Sequence, residues 1–179
     1  MTSQALDRRI AMAPESPHSF RDYLLGSAAE IGVEAVEFCP LADDEASVVA
    51  EVVGKRFGSS IRFLWWCPDG PPVTPSAAHQ FQDDQGWAEL AHIAPNPNEP
   101  VWLIAENWYS ERPAYFVFEG TPAVIQRVLG NSLGFEYVVV SKRLEWLIAE
   151  DHHSVVQVVG SPVVERLTTA HSRGGGYIS

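Results

Sequence analysis

The pentapeptide Trp102-Leu103-Ile104-Ala105-Glu106 recurs unchanged as Trp146-Leu147-Ile148-Ala149-Glu150. Each copy is followed by a second run with strand character, Tyr115–Glu119 and Val155–Val159. The same junction then follows, Gly120-Thr121-Pro122 in one copy and Gly160-Ser161-Pro162 in the other. In that junction glycine permits a sharp exit from the strand, the hydroxyl caps a helix, and proline fixes the first helical residue. The chain therefore reads as a strand–strand–helix unit used twice, over residues 101-131 and 145-171. The hairpin loops differ in length: Asn107–Ala114 in the first copy, Asp151–Ser154 in the second. Connections this short join antiparallel strands.

Periodicity and punctuation place the other elements. Phe135–Ser141 reads as a strand leading into the second copy, and Ile61–Cys67 as its counterpart before the first. The expected architecture is α+β: an antiparallel sheet of about six strands in a βββα-βββα arrangement behind two N-terminal helices. Along the second copy, alternation puts Trp146 and Ile148 on one face and Leu147 and Ala149 on the other, so both faces need covering. The first helix is predicted over 17–31, with Ser16 as N-cap, Pro17 at its first position, Phe20, Leu24, Ala28 and Ile31 as its stripe, and Gly32 as its stop. Val33–Cys39 is expected as a short strand. A second helix, capped by Asp43 or Asp44, carries Val48, Val49, Val52, Val53 and Phe57 and ends at Gly58. The proline-rich stretch 68-100 is a long connection with a short helix at Gly86–Ile93. Residues 1-15 read as a flexible lead-in, 16-171 as a single domain, and 172-179 as a flexible tail.

Charge narrows the function classes. The 179 residues hold 23 Asp and Glu against 12 Lys and Arg, a net charge of −11. Arg8-Arg9 and Lys142-Arg143 are isolated pairs, so no basic stripe exists to hold a phosphate backbone, and nucleic acid is not an expected partner. No stretch approaches the ~20 apolar residues of a bilayer span, and the first residues lack an apolar signal core, so a cytoplasmic protein with no membrane partner is expected. Cys39 and Cys67 sit in apolar surroundings and read as buried free thiols. No phosphate loop, nucleophile elbow or zinc-ligand spacing is present, and no cofactor is expected.

Three groups of residues carry candidate chemistry. Glu106 and Glu150 end equivalent strands and would lie close together if the copies packed symmetrically; with His152 and His153 they form the one set suited to a metal-dependent hydrolase. Adjacent histidines on an extended strand point to opposite faces, which argues against a shared ion. The loop residues Asn107, Trp108, Tyr109, Glu111 and Arg112, with Asp151, His152 and His153 at the other tip, are candidates for contact with a partner protein, since tryptophan, tyrosine and arginine dominate binding hot spots. An aromatic pocket lined by Trp65 and Trp102 would suit a small-ligand sensor.

The segment Phe135-Glu136-Tyr137 … Ser141-Lys142 … Glu145-Trp146-Leu147 … Glu150-Asp151-His152-His153 resembles a family of small acidic bacterial proteins of no assigned activity. The resemblance spans Trp102 to Leu167. Ser154 follows the histidine pair where the resemblance implies an acidic residue, which weighs further against a metal. In character the chain is similar to immunity proteins of bacterial toxin systems, which act by binding and blocking a toxin. The leading expectation is thus a non-enzymatic protein-binding module whose partner is a basic toxin or effector domain.

Overall fold

The computed structural model describes residues 19–58, 75–81, 85–107 and 115–174. Seven strands form one antiparallel sheet: β1 (Cys39–Pro40), β2 (Ser76–Gln80), β3 (Val101–Glu106), β4 (Tyr115–Gly120), β5 (Tyr137–Ser141), β6 (Leu147–Glu150) and β7 (Val155–Val159), in the order β1-β4-β3-β5-β6-β7-β2. The helices are α1 (Phe20–Glu30), α2 (Asp43–Phe57), α3 (Leu90–Ile93, entered through a 3-10 turn at Gly86–Glu89), α4 (Pro122–Gly130) and α5 (Ser161–Gly174). None of them is long and apolar enough to cross a membrane.

The α+β class, the antiparallel sheet and the two strand–strand–helix units match the sequence expectation; the βββα-βββα order does not. β5 pairs with both β3 and β6 and so serves both copies. Ile61–Cys67, expected as the extra strand of the first copy, lies outside the described residues, as do residues 1-15. The seventh strand, β2, comes from the proline-rich stretch. Its Ser-Ala-Ala-His-Gln sequence carries no branched or aromatic residue, and what holds it is pairing with β7 along its whole length. The strand expected at Val33–Cys39 is instead a turn, with Glu37 N–H donating to the Glu34 carbonyl (2.9 Å), and only Cys39 and Pro40 reach the sheet.

Helix ends follow local chemistry. α1 begins after Ser19, because Ser19 and Asp22 satisfy each other's backbone N–H groups at 3.2 Å in both directions; Ser16 and Pro17, expected to open it, lie outside the described residues. Gly32, at φ 70°, ends it as expected. Ala42, not an aspartate, is the N-cap of α2; Asp43, Asp44 and Glu45 fill its first turn and favour the positive end of the helix dipole. α5 runs past Ala170 to Gly174.

The sheet has two covered faces. On one, α1 (Phe20, Leu24), α3 (Leu90, Ile93), α4 (Ile125, Val128) and α5 (Val163, Leu167) pack over Leu103, Ala105, Phe118, Val139, Trp146 and Ile148. On the other, α2 lays Ala46, Val49, Val53 and Phe57 over Ile104, Val117, Val138, Leu147 and Ala149. Trp146 and Ile148 therefore face opposite to Leu147 and Ala149, as alternation requires. Each large side chain buried this way contributes roughly 1.5–3 kcal/mol of transfer free energy.

The repeat is not packed in register. Val139 of β5 stands level with Leu103 on one side and Ile148 on the other; Val140 stands level with Trp102 and Leu147. The two identical pentapeptides are thus slipped by one residue, which exchanges their faces. Trp146 is buried under the four-helix face, whereas Trp102 is half-buried on the α2 side. Topology imposes the same exchange: β4 lies outside β3 and β7 outside β6, so superposing the hairpins takes a half-turn about the strand direction. That half-turn would send α4 and α5 to opposite faces, yet both pack on one. Gly160 accommodates the difference with φ 106°, and a Cβ there would stand 2.5 Å from the Glu145 carbonyl oxygen.

Candidate functional site

The slip decides what each strand-end glutamate does. Glu150 points to the four-helix face and is buried. The Tyr137 hydroxyl donates to its Oε2 at 2.6 Å, and the backbone of Gly86 closes over it so tightly that a Cβ there would lie 2.5 Å from Oε1. Burial first, then the neighbouring Glu150 carboxylate, pushes the Tyr137 phenol well above its ordinary range. This is a core polar pair, shielded from solvent.

Glu106 ends its strand on the other face, and its backbone N–H donates to the Glu136 carbonyl at 3.0 Å. Desolvation raises the Glu106 carboxyl above its ordinary value, repulsion from Glu136 adds to the rise, and His152 opposes it. His152 sits in the β6–β7 turn with its side chain 68% exposed, and its Nδ1 meets Glu136 Oε1 in a short contact. The His152 backbone N–H is directed at the same oxygen, at 3.4 Å. The hydrogen bond to Glu136 raises the imidazole above its ordinary value; slight desolvation opposes this, and the charges of Glu136, Asp151 and Glu106 reinforce it.

The turn itself is held by Asp151, whose Oδ1 accepts the N–H groups of His153 (2.9 Å) and Val155 (3.1 Å). That makes Asp151 a turn-forming residue in the sense expected of aspartate. Ser154 takes φ 59°, and its carbonyl accepts the Phe81 N–H at 3.1 Å; Gln80 Nε2 reaches the His153 carbonyl at 3.3 Å. The edge strand β2 thus braces the tip. His153 is exposed, its ring centroid 3.9 Å from that of His152.

Glu106, Glu136 and His152 come together at this end of the sheet. Glu150 does not join them: it belongs to the opposite face, so the four-residue metal set Glu106, Glu150, His152 and His153 does not converge. Among the described residues no group of three or more His, Cys, Asp or Glu side chains is placed to hold a metal ion. Asn107 follows β3 directly, while Trp108, Tyr109, Glu111 and Arg112 lie outside the described residues, as do Trp65 and Cys67. Trp102 stands at the far end of β3, its ring 5.9 Å from the Lys142 ammonium, which also pairs with Glu119 at 2.6 Å. Cys39 is a free, half-buried thiol.

Sequence reasoning missed Glu136 and Tyr137 as site residues. The signal available was alternation through Phe135-Glu136-Tyr137, which sends the carboxylate and the phenol to opposite faces, each toward one of the two strand-end glutamates.

No curated protein and no solved structure matches the chain. A family model does match, over residues 17–171, and so takes in every strand and helix that builds the site. The chain belongs to that family, described as a family of unknown function (DUF6756).

Proposed function

We propose that the chain is a non-enzymatic protein-binding module, and within that class an immunity-type protein that binds and neutralises a basic bacterial toxin or effector. The observation that carries this reading is the sheet end where exposed His152 and His153 stand beside Glu106 and Glu136, on a chain of net charge −11. A negative field of this kind steers a basic partner and disfavours an acidic one. Asn107 opens the longer loop at the same end, and Trp108, Tyr109, Glu111 and Arg112 extend the contact set, with Asp151 shaping the turn that presents His152 and His153.

The test is co-expression with a toxin-like protein encoded beside this chain in its host. The toxin alone stops growth; growth returns with the chain present, and the two purify as a stoichiometric complex. Reversing Glu106 and Glu136 to lysine weakens that complex at least tenfold, equivalent to about 1.4 kcal/mol. The absence of a toxin-like neighbour, or growth arrest that persists with folded, abundant chain in the cell, contradicts the reading.

A further inference from the structure

The turn that presents His152 is held in two different ways. Its inner half is tied by the Asp151 carboxylate to the His153 and Val155 amides, by the Ser154 carbonyl to the Phe81 amide, and by the His153 carbonyl to Gln80 Nε2. Its outer corner rests on a single oxygen, Glu136 Oε1, approached by both the ring Nδ1 and the backbone N–H of His152. The contact from the ring depends on a proton: Nδ1 of the imidazolium must donate and its charge strengthens the bond, while neutral imidazole donates from Nδ1 in just one of its tautomers and without that charge.

We propose that His152 and Glu136 form a pH-sensitive latch, tight when the imidazole carries its proton, that fixes the outer corner of the Asp151–Ser154 turn to the β3–β5 end of the sheet and loosens when the proton leaves. The groups facing His152 are the carboxylates of Glu136 at the entry to β5, Glu106 at the end of β3 and Asp151 in the turn itself, and the imidazole of His153, its ring centroid 3.9 Å away. His79 lies on the opposite face of β2, the side that carries Ala77 into the four-helix core. Closing the latch sets one positive charge between Glu106 and Glu136; opening it removes that charge from beside the two carboxylates. The direction follows from the raised imidazole: the latch is closed below its ordinary value and opens as pH climbs through the raised one. Where this edge binds a basic partner, a consequence that rests on the protein-binding reading, affinity rises as the latch opens.

The latch is tested on the full chain alone, by NMR titration from about pH 5 to 9. The His152 ring titrates with a midpoint above the ordinary ~6.5, and the His152 amide follows the same midpoint while the His153 and Val155 amides, both anchored by Asp151, do not. In Glu136→Gln the midpoint moves down toward about 6.5; in His152→Gln the transition at the amide of position 152 disappears. A wild-type midpoint at the ordinary value, a midpoint that Glu136→Gln leaves in place, or a His152 amide that does not follow the ring overturns the proposal. These outcomes require no partner. A latch that titrates as stated while a basic partner binds with the same affinity on both sides of the midpoint counts against the protein-binding reading alone.

Discussion

The β3–β4 and β6–β7 hairpins begin with the same five residues and use them for opposite purposes. In the first, Trp102 is half-buried beside Lys142 and Glu106 ends at the solvent-facing cluster. In the second, Trp146 lies in the core with its indole N–H donating to Glu99 at 3.2 Å, and Glu150 is buried against Tyr137. The residues are identical; their register against β5 is not. A strand's sequence sets which residues share a face, and only the pairing sets which face that is. One copy could thus keep a core polar pair while the other left its carboxylate free for an exposed cluster.

Substitutions at matched positions sharpen the contrast. Trp146→Ala empties a filled core site and costs roughly 3–5 kcal/mol, whereas Trp102→Ala costs less than half as much; urea unfolding of the two variants measures the difference. Gly160→Ala forces a side chain into φ 106° against a backbone carbonyl, so a loss of about 1–3 kcal/mol is expected. Gly120→Ala, at an ordinary φ and 3.2 Å from the Glu37 carbonyl, loses less. Equal losses at the two glycines would break the claim that the copies leave their strands differently.

The glutamates separate in the same way. Tyr137→Phe removes the donor to buried Glu150 and costs about 1–3 kcal/mol. With the phenol intact, its raised pKa makes the native state resist ionisation: Tyr137 contributes fully below about pH 10 and its contribution is lost as pH climbs through the raised value. Wild type therefore loses stability above about pH 10 more steeply than Tyr137→Phe. Glu106→Gln, at the partly exposed end, stays within about 0.5 kcal/mol of wild type. Its sign at neutral pH is toward stabilisation, because the carboxyl it replaces is desolvated and repelled by Glu136.

Much of this was legible in the sequence. The two Gly-hydroxyl-Pro junctions located both hairpins and both following helices; Thr121 caps α4 with its hydroxyl as expected, whereas α5 begins at Ser161 itself, one residue early. Gly32 stops α1 with its left-handed φ of 70°, whereas Gly58, where α2 ends, keeps right-handed helical angles. β2 was illegible because its five residues have no strand preference and its pairing depends on β7, far along the chain. The turn at 34–38 was hidden by residues that suit a strand equally well. The site suffered most from the register slip. Expecting Glu106 and Glu150 to meet assumed that equal sequence means equal pairing, and β5, which belongs to neither copy, breaks that equality. His152 and Asp151 were visible as a polar tip, but Glu136, the carboxylate that engages His152, approaches from the neighbouring strand's entry.

The measurement that bears most directly on the slip is a set of interstrand NOEs from Val139. Leu103 stands on one side of Val139 and Ile148 on the other. NOEs connecting Val139 to those two residues are the predicted result. NOEs that set Leu103 and Leu147 across from the same β5 residue would put the pentapeptides in register, return Trp102 and Trp146 to one face, and contradict it.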